Sequence, residues 1–440
     1  MLYIYLDNYR GFSDTYIPIK DVNFFVGENS TGKTSVLSLI NLLDSPEFWL
    51  RQDFNTAEVQ LGSYRDIVST NSKNDKYFRI GIIESTKLAP KSGKSNPQDK
   101  SIAFLMTFMA DEGLPVIFSY HHVKGNKQTK FVFLEQTIKY KKSELTSPAK
   151  EEDLFNIFKT WLDENNEGEK GFNTIKGNIP FSRREALGHV GDLIQSIHEE
   201  KEFDHHAYSL ILPGFAQKLQ WIAPIRSKPK RTYDGYKVDF SPEGDHIPYM
   251  IGKILKQKSI AKIFNPFLEK FGKESGLFEN IRVKRFGRET DAPFELDVVF
   301  GETPMRISNV GYGVSQALPI VVEFFLKPHN YWFAIQQPEV HLHPKAQAAF
   351  GDLIFTMANS EKKKFFIETH SDYMIDRFRL NLKKKQPTPE IKSQVLFFER
   401  HKTGNKLFPI EITEKGNYSE NQPEKFREFF IREELSLLGL

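Results

Sequence analysis

Cysteine is absent from all 440 residues, which excludes disulfides, thiolate metal sites and cysteine nucleophiles and fits a reducing cytoplasm. Long apolar runs are missing as well. No stretch approaches the ~18 apolar residues of a membrane span, and the N-terminus opens on charged and aromatic residues rather than on a basic patch with an apolar core. Neither a span nor a signal peptide is therefore expected. Neither sign of charge is in large excess: a net charge of +3 is too small to argue for nucleic acid by itself. There is no internal repeat and no long low-complexity segment. What remains, 39% hydrophobic and 27% charged residues, is ordinary for a globular chain long enough for two or three domains. The 39 phenylalanines are scattered and are expected to fill core.

One stretch stands out from this background, Gly27-Glu28-Asn29-Ser30-Thr31-Gly32-Lys33-Thr34 with Ser35 after it. It has the glycine, lysine and hydroxyl spacing of a phosphate-binding loop. Val22 to Val26 before it reads as a short buried strand. Ser35 to Leu43 after it has helical apolar spacing and stops before Pro46. In a strand–loop–helix of this kind, backbone N–H groups and the helix N-terminus cradle anionic phosphates. Asn29, Ser30, Thr31, Gly32 and Ser35 belong to that cradle, Lys33 reaches the β- and γ-phosphates, and the Thr34 hydroxyl ligates Mg²⁺. The stretch predicts binding of a nucleoside triphosphate.

Elsewhere the N-terminus reads as strands Leu2 to Leu6 and Thr15 to Ile19, with Gly11 in a turn. The β-like runs Tyr77 to Ile83, Ile102 to Met109, Val116 to His121 and Lys130 to Tyr140 follow, separated by turn-rich stretches such as Pro90 to Ser101. They predict an antiparallel sheet. From about Glu151 the period turns helical: Leu154, Phe155, Phe158, Trp161 and Leu162 line one face, and Leu193, Ile194 and Ile197 another. This mostly helical segment, broken by a loop from Pro224 to Asp245, runs to roughly Gly276. β-like runs return at Ile281 to Phe286, Phe294 to Phe300 and Met305 to Ile307. Strand and helix then alternate: helix Ser315 to Leu326, strand Tyr331 to Ile335, helix Pro344 to Met357, strand Lys364 to Glu368, helix Asp372 to Leu382. That alternation predicts a parallel sheet. Val395 to Phe398, Pro409 to Ile412 and Pro423 to Phe430 read as a small cap of strands and a helix.

A phosphate loop needs a carboxylate at the end of a neighbouring strand to hold Mg²⁺, and a group that orients the attacking water. The best candidate lies far downstream, in Phe333-Ala334-Ile335-Gln336-Gln337-Pro338-Glu339-Val340-His341-Leu342-His343-Pro344, so the domain is split by an insertion. Together the two constellations resemble the ABC-type ATPases of the SMC and OLD (overcoming lysogenization defect) groups. The resemblance is closest to bacterial AAA-family ATPases with a short C-terminal domain of unknown function, many of them in anti-phage defence. In that family the Walker B region reads as two acidic residues, Pro, Glu and a His-Leu-His-Pro element. Pro338, Glu339, His341, Leu342, His343 and Pro344 match, whereas Gln336 and Gln337 stand where carboxylates are usual. A neutral amide coordinates Mg²⁺ only weakly and is no general base, although it can orient a water. Glu339 is the nearest carboxylate. Slow or assembly-dependent hydrolysis is expected.

Further matches extend the resemblance. Asn8-Tyr9-Arg10-Gly11-Phe12 is similar to the element in which SMC-like proteins bring an arginine, here Arg10, to the nucleotide. Thr369-His370-Ser371 resembles the switch-histidine loop, in which His370 contacts the γ-phosphate. Asn309 to Gln316 resembles the signature motif, which in ABC proteins closes over the ATP of the opposite subunit. Gly311 and Gly313 match it, Gly311 standing where Ser is usual, with Ser315 as an alternative donor. Gln60 resembles the Q-loop glutamine, a Mg²⁺ ligand beside Thr34 and Gln336. Trp221 to Arg226 and Pro242 to His246 also resemble family elements. The resemblance covers nearly the whole chain, patchily over Lys87 to Glu200. It implies an α/β fold: an ABC-type P-loop ATPase, with a mixed sheet, flanking helices and an antiparallel β subdomain, split by a mostly helical insertion. The expected segments are an N-terminal lobe 1–145, the insertion 146–280, a C-terminal lobe 281–390 and a cap 391–440. It implies ATP and Mg²⁺ as cofactors, a homodimer or higher homo-oligomer, and a separately encoded effector, a nuclease or toxin, for which this ATPase is sensor, scaffold or regulator.

Other residues invite plainer readings. His341 and His343 lack a third ligand and are expected in hydrogen bonds rather than on a metal. Arg184 and His189 fit an Arg-x4-His ribonuclease pattern, which recurs by chance, and no TOPRIM-like acidic set follows the ATPase motifs. His121-His122 and His205-His206 are expected in solvated or capping positions. Arg226, Lys228, Lys230 and Arg231 suit nucleic acid phosphates or a solvated loop equally, and Lys362 to Lys364 and Lys383 to Lys385 suit solvated faces. The rival functions are an autonomous nucleic-acid-processing enzyme and a DNA-maintenance ATPase that binds duplex directly.

Overall fold

The computed structural model describes residues 1–70, 76–86, 100–164, 171–175, 181–200, 208–234, 239–289, 292–385 and 390–429. Pro90 to Ser101, apart from its last two residues, and His205-His206 lie outside them. In chain order the strands are β1 (Leu2–Asp7), β2 (Thr15–Ile19), β3 (Val22–Gly27), β4 (Phe78–Thr86), β5 (Lys100–Asp111), β6 (Leu114–Lys124), β7 (Lys127–Phe133), β8 (Ile138–Glu144) and β9 (Asn173–Thr174). They continue as β10 (Leu219–Ile222), β11 (Asn280–Arg285), β12 (Phe294–Phe300), β13 (Thr303–Arg306), β14 (Trp332–Gln336), β15 (Lys364–Glu368), β16 (Ser393–His401) and β17 (Gly404–Ile412). The helices are α1 (Lys33–Asp44), α2 (Pro46–Arg51), α3 (Tyr64–Ile67), α4 (Glu151–Asp163), α5 (Ala186–Glu199) and α6 (Ile247–Lys256). After them come α7 (Lys258–Ser275), α8 (Tyr312–Leu326), α9 (Pro344–Glu361), α10 (Asp372–Lys384) and α11 (Glu424–Phe429). No helix among the described residues is long and apolar enough to cross a membrane.

Two compact units share the chain discontinuously. One holds Met1–Lys20, Glu28–Gln217 and Phe398–Leu407; the other holds Asp21–Gly27, Lys218–Phe397 and Phe408–Leu440. The first unit carries the eight-stranded sheet β2-β1-β4-β5-β6-β7-β8-β9, whose pairings are all antiparallel. Alternate residues face opposite sides of such a sheet. On one side Tyr5, Ile83, Ala103, Leu105 and Val123 receive the apolar face of α4, Leu154, Phe158 and Trp161. Gly81 makes room there, because a β-carbon on it would lie 2.4 Å from Phe158 Cζ. Phe78 and Phe104, out of phase with Ala103 and Leu105, pack with Phe48, Trp49, Phe54 and Phe108. The run Lys130 to Tyr140, expected as one strand, is two: a turn closed by Leu134 N donating to Thr137 O at 2.9 Å separates β7 from β8. His121 and His122 are not in solvated positions but buried in β6, 2% exposed each.

The second unit is built on the six-stranded sheet β10-β14-β15-β3-β16-β17. The pairs β10–β14, β14–β15 and β15–β3 are parallel, as the strand–helix alternation predicts. Their cores, Phe333-Ala334-Ile335, Phe365-Phe366-Ile367 and Phe24-Phe25-Val26, are fully buried, the pattern of strands covered on both faces. Helix α9 is the crossover between β14 and β15, and α7 and α10 pack against it. Two polar side chains inside this core satisfy each other: Asn23 Nδ2 donates to Phe365 O at 3.0 Å, and Gln394 Nε2 donates to Asn23 Oδ1 at 2.7 Å. Several expectations are corrected here. Strand β10 lies within the segment read as mostly helical, and that segment forms no unit of its own, since the boundary falls at 217/218. Strands β16 and β17, expected in a separate cap, complete the sheet edge. Lys363, expected on a solvated face, is fully buried, its ammonium held by Phe324 O and by Glu361 Oε2, the latter at 2.5 Å.

Candidate nucleotide-binding site

The chain leaves β3 at Gly27 and enters the loop that precedes α1. Ser30 at φ 61° and Gly32 at φ 96° take the left-handed region, which folds the loop back over the helix start. Gly32 flanks α1 with no side-chain cap, so the first-turn N–H groups are directed as an anion cradle. A β-carbon at Gly32 would lie 2.5 Å from Phe12 Cζ and 3.0 Å from Asn405 Nδ2. Lys33 is 3% exposed; its Nζ donates to Glu28 O at 2.6 Å, and Thr31 Oγ1 donates to the same carbonyl at 2.8 Å. Asn29, Ser30 and Thr34 are exposed. The Ser35 carbonyl accepts from Tyr9 Oη at 3.2 Å.

Arg10 lies against this loop through its neighbours. Asn405 Nδ2, which approaches Gly32, donates to Arg10 O at 3.2 Å, and Arg10 Nη2 donates to Leu61 O at 2.8 Å. Gln60, one residue before Leu61, is exposed, with Nε2 donating to Thr56 O at 2.6 Å. Asn405 had no signal in the sequence: it is a single polar residue at the start of β17, brought to the loop by folding alone.

In the other unit the carboxyl ends of β10, β14, β15 and β3 align at one edge, the place where open parallel sheets bind ligands. Gln336 pairs in register with Glu368, and its Nε2 donates to Glu368 Oε2 at 3.4 Å. Its carbonyl Oε1 is then the atom suited to a cation. Gln337 takes φ 42°, and its N–H donates to Glu368 O at 2.8 Å. Glu339 Oε2 accepts from Thr369 Oγ1 at 2.8 Å and Oε1 from His370 N at 2.7 Å. Burial raises the Glu339 pKa, against the opposing pull of those bonds and of the Arg226 charge. The structure thus brings Gln336, Gln337, Glu339 and His370 together. Glu339 holds the switch-like loop, and the His370 ring is exposed.

The signature-like residues form the start of α8. Gly311 is exposed with nothing within 4 Å of an added β-carbon, and Tyr312 beside it is 51% exposed. A β-carbon on Gly313 would lie 3.2 Å from Leu277 Cδ2 and 3.3 Å from His341 O. The Ser315 hydroxyl donates to Tyr312 O at 2.8 Å. Among the plainer readings, His343 Nδ1 accepts from Ala346 N at 3.3 Å and caps α9. No group of three or more potential metal ligands exists among the described residues. His189 is 3% exposed and stacked between Phe181 and Tyr208, centroids 4.3 and 4.8 Å away, a poor place for a nuclease catalyst. Arg226, read as a phosphate contact or part of a solvated loop, is buried and bonded internally.

A left-handed glycine loop, a buried lysine and an uncapped helix start fit a polyphosphate, so the fold and site define an α/β nucleotide-binding protein of the P-loop class. A family model for the AAA ATPase domain matches residues 1–375, and the chain belongs to that family. A search of curated proteins returns no match. Among solved structures, the chain is similar to the Smc head domain of Pyrococcus furiosus, bound to the C-terminal domain of ScpA, with 11% identity, a TM-score of 0.42, and 93% of this chain and 97% of that one covered. The SMC head domain from Thermotoga maritima gives 11% identity, a TM-score of 0.38, and 93% and 98% coverage. The recombination mediator RecF gives 10% identity, a TM-score of 0.33, and 90% and 96% coverage.

Proposed function

We propose that this AAA-family chain is an ABC/SMC-like ATPase that binds ATP·Mg²⁺, pairs head-to-tail with a second copy around the nucleotide, and hydrolyses it slowly. The observation that carries this reading is the joint presence of the Gly27 to Thr34 cradle and the polar edge formed by Gln336, Gln337, Glu339 and His370. Asn29 to Gly32 and Ser35 would hold phosphates through backbone N–H groups, and Lys33 and Arg10 would balance their charge. Thr34 and Gln336, with Gln60 as a further ligand, would hold Mg²⁺, which supplies charge neutralisation at the phosphates when bound. Gln337 would orient water without accepting its proton, and Glu339, with both oxygens already bonded, would set the position of His370. A centre with amides at both usual carboxylate positions turns over slowly, which suits a two-state switch in which bound ATP stabilises a closed dimer.

The output would be control of a separately encoded effector, a nuclease or toxin, in anti-phage defence, with the ATPase as sensor, scaffold or regulator. Support for that part is the resemblance in the Walker B-like run Gln336 to Pro344, together with the lack of a clustered metal-nuclease site among the described residues.

Lys33→Ala tests the site. Titration of a fluorescent ATP analogue is expected to show affinity reduced by about 100-fold or more, about 2.7 kcal/mol. Retained affinity in a folded variant would remove the assignment. For the partner, genes adjacent to this one are expected to include a nuclease or toxin whose activity changes on co-purification with this chain and ATP.

A further inference from the structure

A buried arginine stands between the signature-like helix and the end of β14. Arg226 follows β10 and is 2% exposed. Its Nη2 donates to Gln336 O at 2.9 Å and its Nη1 to Gln337 O at 3.2 Å, so one guanidinium spans two consecutive carbonyls of the Walker B-like run. Its backbone is tied to α8 in both directions. Arg226 N donates to Gln316 Oε1 at 3.3 Å, and Gln316 Nε2 donates to Arg226 O at 3.3 Å. Gln316 lies in the first turns of α8, close after Gly311 and Gly313.

The same loop is fastened to α8 a second time. Ala223 N donates to Pro242 O at 3.0 Å and Ser227 N to Glu243 O at 2.9 Å, which pairs it with the segment around Gly244. In that segment His246 Nε2 and Glu323 Oε1 of α8 are 2.7 Å apart. A β-carbon on Gly244 would lie 2.7 Å from Pro319 Cγ of α8. Helix α8, Arg226 and the Gln336 and Gln337 carbonyls are thus joined in one continuous chain of hydrogen bonds.

Charge and shape make arginine specific to this place. Burial lowers its pKa to about 10, with the Glu339 charge acting in the opposite direction, so it stays ionised at neutral pH. An apolar side chain would fill the volume at lower desolvation cost. A planar fork presents two N–H groups at a fixed spacing to two separate carbonyl oxygens, whereas a lysine ammonium is a compact charge on a flexible stem and does not hold that spacing. Gln337 is already in the left-handed region at φ 42°, where its side-chain direction depends on the backbone being held.

We propose that Arg226 is a positioning residue that transmits the setting of the α8 N-terminus, where a second copy would dock, to Gln337, and so makes hydrolysis conditional on assembly. This rests on the composite ATPase reading above and names the regulation of that site.

The test compares the full-length chain with Arg226→Lys, Gln316→Leu and the double variant. It measures ATP-analogue affinity, kcat at saturating ATP across a range of protein concentrations, and the urea midpoint. Both single variants are expected to keep affinity within about twofold and to lose about tenfold or more in kcat, with the double variant no worse than the worse single. Unchanged kcat in both singles, losses that multiply as independent effects, or a loss confined to affinity would each overturn the proposal. Arg226→Lys keeps the charge. If it proves unstable, Gln316→Leu, which leaves both guanidinium bonds intact, decides alone. Retained ATP affinity in Lys33→Ala would instead bring down the underlying ATPase reading, whatever the Arg226 variants do.

Discussion

A β-carbon added at Gly32 would meet Phe12 Cζ at 2.5 Å, and the φ of 96° there is one that side-chain-bearing residues adopt only with strain. Gly32→Ala is therefore expected to cost at least about 1–2 kcal/mol in urea denaturation and to weaken ATP-analogue binding by distorting the cradle. An unchanged midpoint would contradict the loop geometry. Gln337 is the second informative residue. If it only orients water, Gln337→Ala changes turnover less than Lys33→Ala does. Complete loss of hydrolysis with intact binding would show that orientation by the amide is indispensable. At this scale the phosphate loop was legible because phosphate recognition uses local backbone, and local backbone follows local sequence. Arg226, Lys363 and Asn405 were not, because each is defined by a carbonyl or a side chain distant in the chain.

Strand β6 gives the element-scale prediction. His121 and His122 are both buried. Burial holds His121 well below its ordinary pKa, helped by Lys130 and Arg79, and lowers His122 to about 3, helped by Lys124 and His198. The folded state thus resists protons that the unfolded chain accepts near pH 6.5, so stability is present above that pH and is lost as pH falls below it. For His122 the loss continues towards about pH 3. The expected slope approaches about 1.4 kcal/mol per pH unit for each histidine. Urea midpoints between pH 7 and 5 should show it, and His121→Phe with His122→Phe should flatten it; an equally steep dependence in the double variant would contradict this origin. Helix α4 offers a second measure. Phe158 is fully buried over Gly81, so Phe158→Ala should cost about 3–5 kcal/mol by calorimetry or urea. The helical period of α4 and the alternation of β4 to β6 were readable in sequence. The division of Lys130 to Tyr140 into two strands was not, since its turn carries neither glycine nor proline.

For the whole molecule the decisive fact is discontinuity. Strand β3 sits between β15 and β16 in the sheet of one unit, yet the residues on either side of it belong to the other. A cut at 217/218 leaves fragment 218–440 without the strand that supplies Asn23, Phe24 and Phe25 to its core. Each fragment expressed alone should lack cooperative unfolding and near-ultraviolet circular dichroism, while co-expression should recover folded protein; an independently folded 218–440 would refute this. The proposed head-to-tail pairing adds a prediction at the same scale. Open space around Gly311 lets Gly311→Arg fold while obstructing a docking partner. Neither Gly311→Arg nor Lys33→Ala should turn over ATP alone, but their mixture should regain turnover, because one of the two composite sites would be intact. A mixture as inactive as its parts would exclude this form of pairing.

Sequence by itself determined the cradle, the buried parallel strands and the α/β class, because glycine placement, apolar run length and periodicity act over a few residues. Tertiary structure alone decided that Gln336 faces Glu368, that Glu339 holds the His370 loop, and that Arg226 ties α8 to the end of β14. Those relations depend on strand register and on burial, which gather residues far apart in the chain and which no local pattern encodes.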